Sequence, residues 1–95
     1  MDVKINIVNF KADEKLTEFV NQKVSKLEHH SAGLLSAEVT LSVDKPESMN
    51  NKVADIRIVV KGNDLYASKR ADSFEEAVML AIDALKTQIS KFKDK

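Results

Sequence analysis

Six stretches of this chain are apolar on one side only, and none of them can stand alone in water. In VKINIV (3–8), Val3, Ile5 and Ile7 alternate with Lys4 and Asn6; in AEVTLSV (37–43), Val39, Leu41 and Val43 alternate with Glu38, Thr40 and Ser42. A period of two marks strands with one buried and one wet face. VADIRIVV (53–60) repeats the pattern through Ile56, Ile58 and Val60, turns at GND (62–64) and returns as a short strand through Leu65 and Ala67, which is a hairpin. Between the first two strands, Leu16, Phe19, Val20, Val24 and Leu27 recur at helical spacing behind Asp13, an N-cap residue. They predict a helix of about 16 residues that Gly33 can end. The last stretch, DSFEEAVMLAIDALKTQISKF (72–92), has cap candidates in Asp72 and Ser73, acids Glu75 and Glu76 in its first turn and lysines in its last.

One-sided elements in the order β-α-β-β-β-α predict an α+β fold. Its four-stranded mixed sheet carries two helices packed side by side on one face, with a groove between them and the other face in water. Strands one and two, joined through a helix, are expected to be parallel neighbours, and the remaining neighbours antiparallel. The 95 residues suffice for one core and not for two, so a single domain spanning 1–95 is expected.

Composition excludes several kinds of chemistry. Without cysteine there is no disulfide, thiolate metal site or cysteine nucleophile. Gly33 and Gly62 stand far apart and cannot form a glycine-rich phosphate loop. His29 and His30 are adjacent, so on a helix they point in different directions, and no third ligand is spaced to join them around a metal. They read as an exposed structural pair. No serine has a base and an orienting acid in view, and Tyr66 is the one aromatic on the wet sheet face, too few for a base-stacking platform. No enzyme, cofactor or metal is expected, and no stretch is apolar enough to span a membrane or serve as a signal peptide.

Charge is where the chain becomes specific. Fifteen basic residues balance fifteen acidic ones, which argues against indiscriminate coating of polyanions or DNA, so any nucleic-acid contact must come from local sorting of charge. On a wheel of the first helix at about 100° per residue, Lys15, Lys23 and Lys26 flank the apolar stripe on one shoulder, while Glu14, Glu18 and Glu28 lie mostly opposite. In the last helix, Lys86 and Lys93 share one shoulder of the stripe with Glu75, and Leu80, Ala84, Thr87, Lys91 and Lys95 lie on the other. Lysines along a stripe also shield apolar surface, and in a last turn they complement the helix dipole. If the basic shoulders border one groove, their lysines make a surface suited to a phosphate backbone.

FVNQKVSKLEHH (19–30), YAS (66–68) and DSFEEAVMLAIDALKTQISKFKDK (72–95), in this element order, together resemble the short ribosome hibernation promoting factors. These are related to ribosome-associated inhibitor A and were once called sigma-54 modulation proteins. The resemblance covers the whole chain and implies a protein that binds the small ribosomal subunit near the decoding centre through 16S ribosomal RNA. Bound there, it would block messenger and transfer RNA and inhibit translation in stationary phase. It implies RNA contact at Lys23, Lys26, Lys91 and Lys93; the wheel adds Lys15 and Lys86. Two departures stand out: basic residues are expected at 84 and 87, where this chain has Ala84 and Thr87, and Lys86 replaces a small residue. The C-terminal dimerisation domain of the long forms is expected to be absent, so pairing of ribosomes would need a second factor. The competing reading is a protein-interaction adaptor without RNA binding, using the polar sheet face or the short edge strand, and motivated by the neutral overall charge and by Met79 and Leu80, expected to be exposed.

Overall fold

The structure, a computed structural model, describes residues 2–30, 33–45 and 49–93. Its elements are β1 (Asp2–Val8), α1 (Glu14–Ser25) continued by a 3-10 turn (Lys26–His30), β2 (Leu34–Val43), β3 (Lys52–Val60), β4 (Asn63–Ala71) and α2 (Phe74–Lys93). The sheet order is β1-β2-β3-β4, with β1 parallel to β2 and the other pairs antiparallel. This is the α+β architecture expected from the alternation.

The apolar sides meet as the patterns require. Ala37, Val39 and Leu41 of β2, Ala54, Ile56, Ile58 and Val60 of β3, and Leu65, Ala67 and Ala71 of β4 are buried beneath the helices. The stripes that cover them are Leu16, Val20, Val24 and Leu27 from the first helical segment, and Val78, Ala81, Ile82, Leu85 and Ile89 from α2. α2 lies over β3 and β4, and α1 packs beside it and against β1. Both helix starts are capped. The Asp13 carboxylate accepts the Leu16 N–H at 2.9 Å, and Ser73 Oγ accepts the Glu76 N–H at 3.2 Å. Asp72, the other cap candidate, instead accepts the Asn50 N–H at 2.8 Å and ties the β2–β3 connection to the start of α2.

Three boundaries differ from the sequence reading. β2 begins at Leu34 rather than Ala37, because a bulge between Leu34 and Ser36 interrupts the alternation and turns Leu35 outward. β4 is not short: it pairs with β3 from Asn63 to Ala71. The turn is the two residues Lys61 and Gly62, with Asn63 already paired to Val60, and only Gly62 takes a positive φ, +83°, as in a type II turn.

A contact with no counterpart in the sequence patterns holds α2 to the outer edge of β4. The Gln88 side-chain amide donates to the Tyr66 carbonyl at 2.7 Å and accepts the Tyr66 N–H at 3.3 Å. Both free backbone groups of an edge-strand residue are thereby satisfied, so β4 is closed to further strands at its midpoint.

The open face of the sheet is largely self-satisfied in charge. Arg57 pairs with Asp64 across the hairpin, Arg70 pairs with Asp44 at 2.6 Å, and the Tyr66 hydroxyl donates to Asp55 at 3.0 Å. The bond to Asp55, helped by desolvation and by the nearby carboxylate charge, raises the Tyr66 pKa above its ordinary 10.0. A raised pKa means that the folded state favours the phenol. Tyr66 therefore contributes stability below pH 10, and that contribution is lost as pH rises through the folded-state midpoint. Tyr66 is the chain's single tyrosine, and there is no tryptophan. An absorbance titration should accordingly give one midpoint above that of free tyrosine, and Asp55→Asn should bring it down. A midpoint unchanged in that variant would show that the hydrogen bond is not the cause.

Candidate nucleic-acid interface

The two helices leave a groove of about 290 Å³ between the end of the first helical segment and the middle of α2, lined by Lys23, Lys26, Leu27, His29, Met79, Ile82 and Lys86. Helical spacing explains who meets there. Lys23 stands on α1 one turn before Leu27, whose side chain is 0% exposed and pins the 3-10 turn to the core. In a 3-10 turn residues i and i+3 eclipse, so Lys26 and His29 rise on the same side. From α2, Met79, Ile82 and Lys86 recur at i, i+3 and i+7 and supply the opposite wall. The floor is apolar, from Leu27, Ile82 and Met79, and the rim is basic.

Among the described residues, the rim cations find no carboxylate partner: neither ion pair involves Lys23, Lys26 or Lys86. The one contact of this kind is the Lys23 ammonium 5.7 Å from the centroid of the half-buried Phe19 ring. Such a contact steadies the side chain at a cost in charge of nothing, and at an exposed site it is worth about 0.5–1 kcal/mol. The contrast with the open sheet face is direct: there the two arginines are already paired with carboxylates, and here like charges converge with no counterion among the described residues. That arrangement suits an external polyanion. It offers little to an adaptor, whose candidate residue Met79 is half-buried in the groove wall, leaving Leu80 exposed on the far shoulder.

The six lysines singled out in the sequence divide. Lys23, Lys26 and Lys86 line one groove. Lys15 is exposed eight residues before Lys23, about 12 Å away along the helix axis, and does not line it. Lys91 is exposed and lies about 140° around α2 from Lys86, on the arc of Leu80, Ala84 and Thr87 that turns away from α1. Lys93 closes α2 on the Lys86 arc, and its side chain lies outside the described residues. The departures at Ala84 and Thr87 are therefore on the shoulder away from the groove, while Lys86 is in it. His29, set aside in the sequence reading, lines the groove. The i, i+3 relation to Lys26 was the signal available for it.

No described group of histidine, aspartate and glutamate is placed to hold a metal ion, and no described helix is long and apolar enough to cross a membrane.

Comparison with known proteins adds to this geometry. The family model described as Sigma 54 modulation protein / S30EA ribosomal protein matches residues 3–95. The chain is 32% identical over 95 residues to the ribosome hibernation promoting factor of Escherichia coli K12, covering 100% of this chain and 96% of that protein. Among solved structures it is similar to the N-terminal domain of Thermus thermophilus Protein Y, with 24% identity, a TM-score of 0.83 and coverage of 97% and 99% of the two chains. It is also similar to a ribosomal subunit interface protein from Coxiella burnetii, with 20% identity, a TM-score of 0.87 and 100% of both chains covered. At these identities the two structures speak for the fold.

Proposed function

The chain belongs to the Sigma 54 modulation protein / S30EA ribosomal protein family, and on that premise we propose that it is a ribosome hibernation factor that binds the small subunit and holds ribosomes idle. The observation that carries the reading is the inter-helix groove, where Lys23, Lys26 and Lys86 converge with no ion pair of their own among the described residues. A phosphate backbone running along that groove would replace the missing counterions and release those condensed on the RNA. The partner is 16S ribosomal RNA near the decoding centre, and the consequence is exclusion of messenger and transfer RNA, which inhibits translation in stationary phase. The protein acts in the cytoplasm, without catalysis.

The test is co-sedimentation with purified small subunits over a range of salt. Binding is expected at low salt, with log K falling linearly in log salt at a slope of about −0.9 for each phosphate neutralised on a duplex and about −0.7 on single strands. Three groove lysines imply a slope of roughly −2 to −3. Absence of binding at low salt, or capture dominated by a protein partner after nuclease treatment, would sink the proposal and favour an adaptor.

A further inference from the structure

We infer that His29 is a fourth, titratable phosphate ligand of the groove, so that RNA binding by this chain tightens as pH falls; the inference rests on the reading above. Three observations place it there. His29 is exposed and lines the groove with the three lysines. It sits three residues after Lys26 in the 3-10 turn, where the two side chains eclipse. Leu27, wholly buried between them, fixes the turn's orientation.

Among the described residues that line the groove with His29, the charges are of one sign. Lys23 comes from α1, Lys26 from its own turn and Lys86 from α2. Met79 and Ile82 add no charge. The acids beside the lining residues are Glu28, on the same turn, and on α2 Asp83, three residues before Lys86, and Glu75, one turn before Met79; none of them lines the groove. An imidazole in such a setting has nothing anionic within the groove to hold its proton while the site is empty. A bound phosphate supplies that anion, favouring the imidazolium and taking up a proton on binding. By linkage, a proton taken up on binding means that the complex gains on the free protein as pH falls. A neutral imidazole can donate one hydrogen bond to a phosphate, whereas an imidazolium adds a full charge and a further counterion to be displaced.

The experiment uses the whole chain and purified small subunits at constant ionic strength, comparing pH 8 with pH 5.5. Wild type is expected to bind about threefold to tenfold tighter at the lower pH, the scale of one added phosphate contact, with a salt slope steeper by up to about 0.9. His29→Gln should lose most of this pH dependence, His30→Gln should keep it, and His29→Lys should bind tightly at both pH values. His29 is exposed, so the variants should melt as wild type does. Binding that persists while remaining flat with pH in wild type, or a pH dependence that survives in His29→Gln, overturns the inference and leaves the proposed function standing. Loss of all subunit binding, at either pH and at low salt, overturns both.

Discussion

Replacing Lys23 and Lys26 together by glutamate is expected to weaken binding to small subunits by roughly a hundredfold or more at moderate salt, and to reduce the salt slope by about two. The size follows from position. Both lysines line the inter-helix groove, both lack an ion partner among the described residues, and reversal substitutes repulsion for attraction at two adjacent phosphate sites. Fold stability should change little, because Lys26 is exposed and Lys23 is only half-buried. The control is reversal of Lys45 and Lys52. Lys45 is exposed in the β2–β3 connection, and Lys52 donates to Asn51 at 2.7 Å. These residues flank the connection at the end of the sheet where β2 finishes, whereas the groove lies at the end where β2 begins. Equal losses from the two double variants would show that the groove is not the binding face.

The same comparison separates Lys86 from Lys91. Lys86 stands in the groove wall, and Lys91 is turned away from α1. Wheel arithmetic alone placed both on shoulders of the α2 stripe without saying which shoulder faces α1. That depends on which strands α2 covers and how it is rotated on them. α2 lies over β3 and β4, and the paired hydrogen bonds between Gln88 and Tyr66 hold its other shoulder to the β4 edge. Nothing in the local pattern around Gln88 announces a contact with a residue 22 positions earlier, and this is the point where periodicity stops being informative.

The fold itself was legible because most of its information is local. Alternation in Val39, Leu41 and Val43, and again in Ile56, Ile58 and Val60, needs no partner to be read. Where a partner decides, the reading fell short. Ser68, Lys69 and Arg70 form a polar run that ends the visible alternation of β4. The strand nevertheless continues, because Asp55, Ala54 and Val53 of β3 pair with these residues. The bulge at Leu35 hides the start of β2 in the same way. At the site, Lys23 and Lys26 were found because charge was sorted along one helix. His29 was passed over because it was weighed only beside His30, as a metal ligand, and not beside Lys26, with which the 3-10 turn brings it into line.

Leu27→Ala should produce the largest loss of stability among the residues that touch the groove, and it also asks whether the groove needs its floor. The Leu27 side chain is 0% exposed, anchoring the five-residue 3-10 turn that carries Lys26 and His29. Truncating a buried leucine removes its transfer free energy and leaves a cavity, at a cost of about 2–5 kcal/mol. A domain of this size has a total stability of roughly 5–14 kcal/mol. Each kcal/mol shifts the midpoint by about 4–8 °C, so a fall of at least about 8 °C in Tm is expected by calorimetry or circular dichroism. Leu80→Ala, on the exposed shoulder of α2, should stay close to wild type. Leu27→Met keeps most of the volume and should cost less than about 1.5 kcal/mol. The binding readout is taken well below the lowered midpoint, where Leu27→Ala is still folded. If Leu27 merely fills space, the folded variant will bind small subunits as wild type does. If it sets the direction in which Lys26 and His29 rise, affinity falls although every charge is still present. The salt slope falls with it, because phosphates that are no longer reached release no counterions.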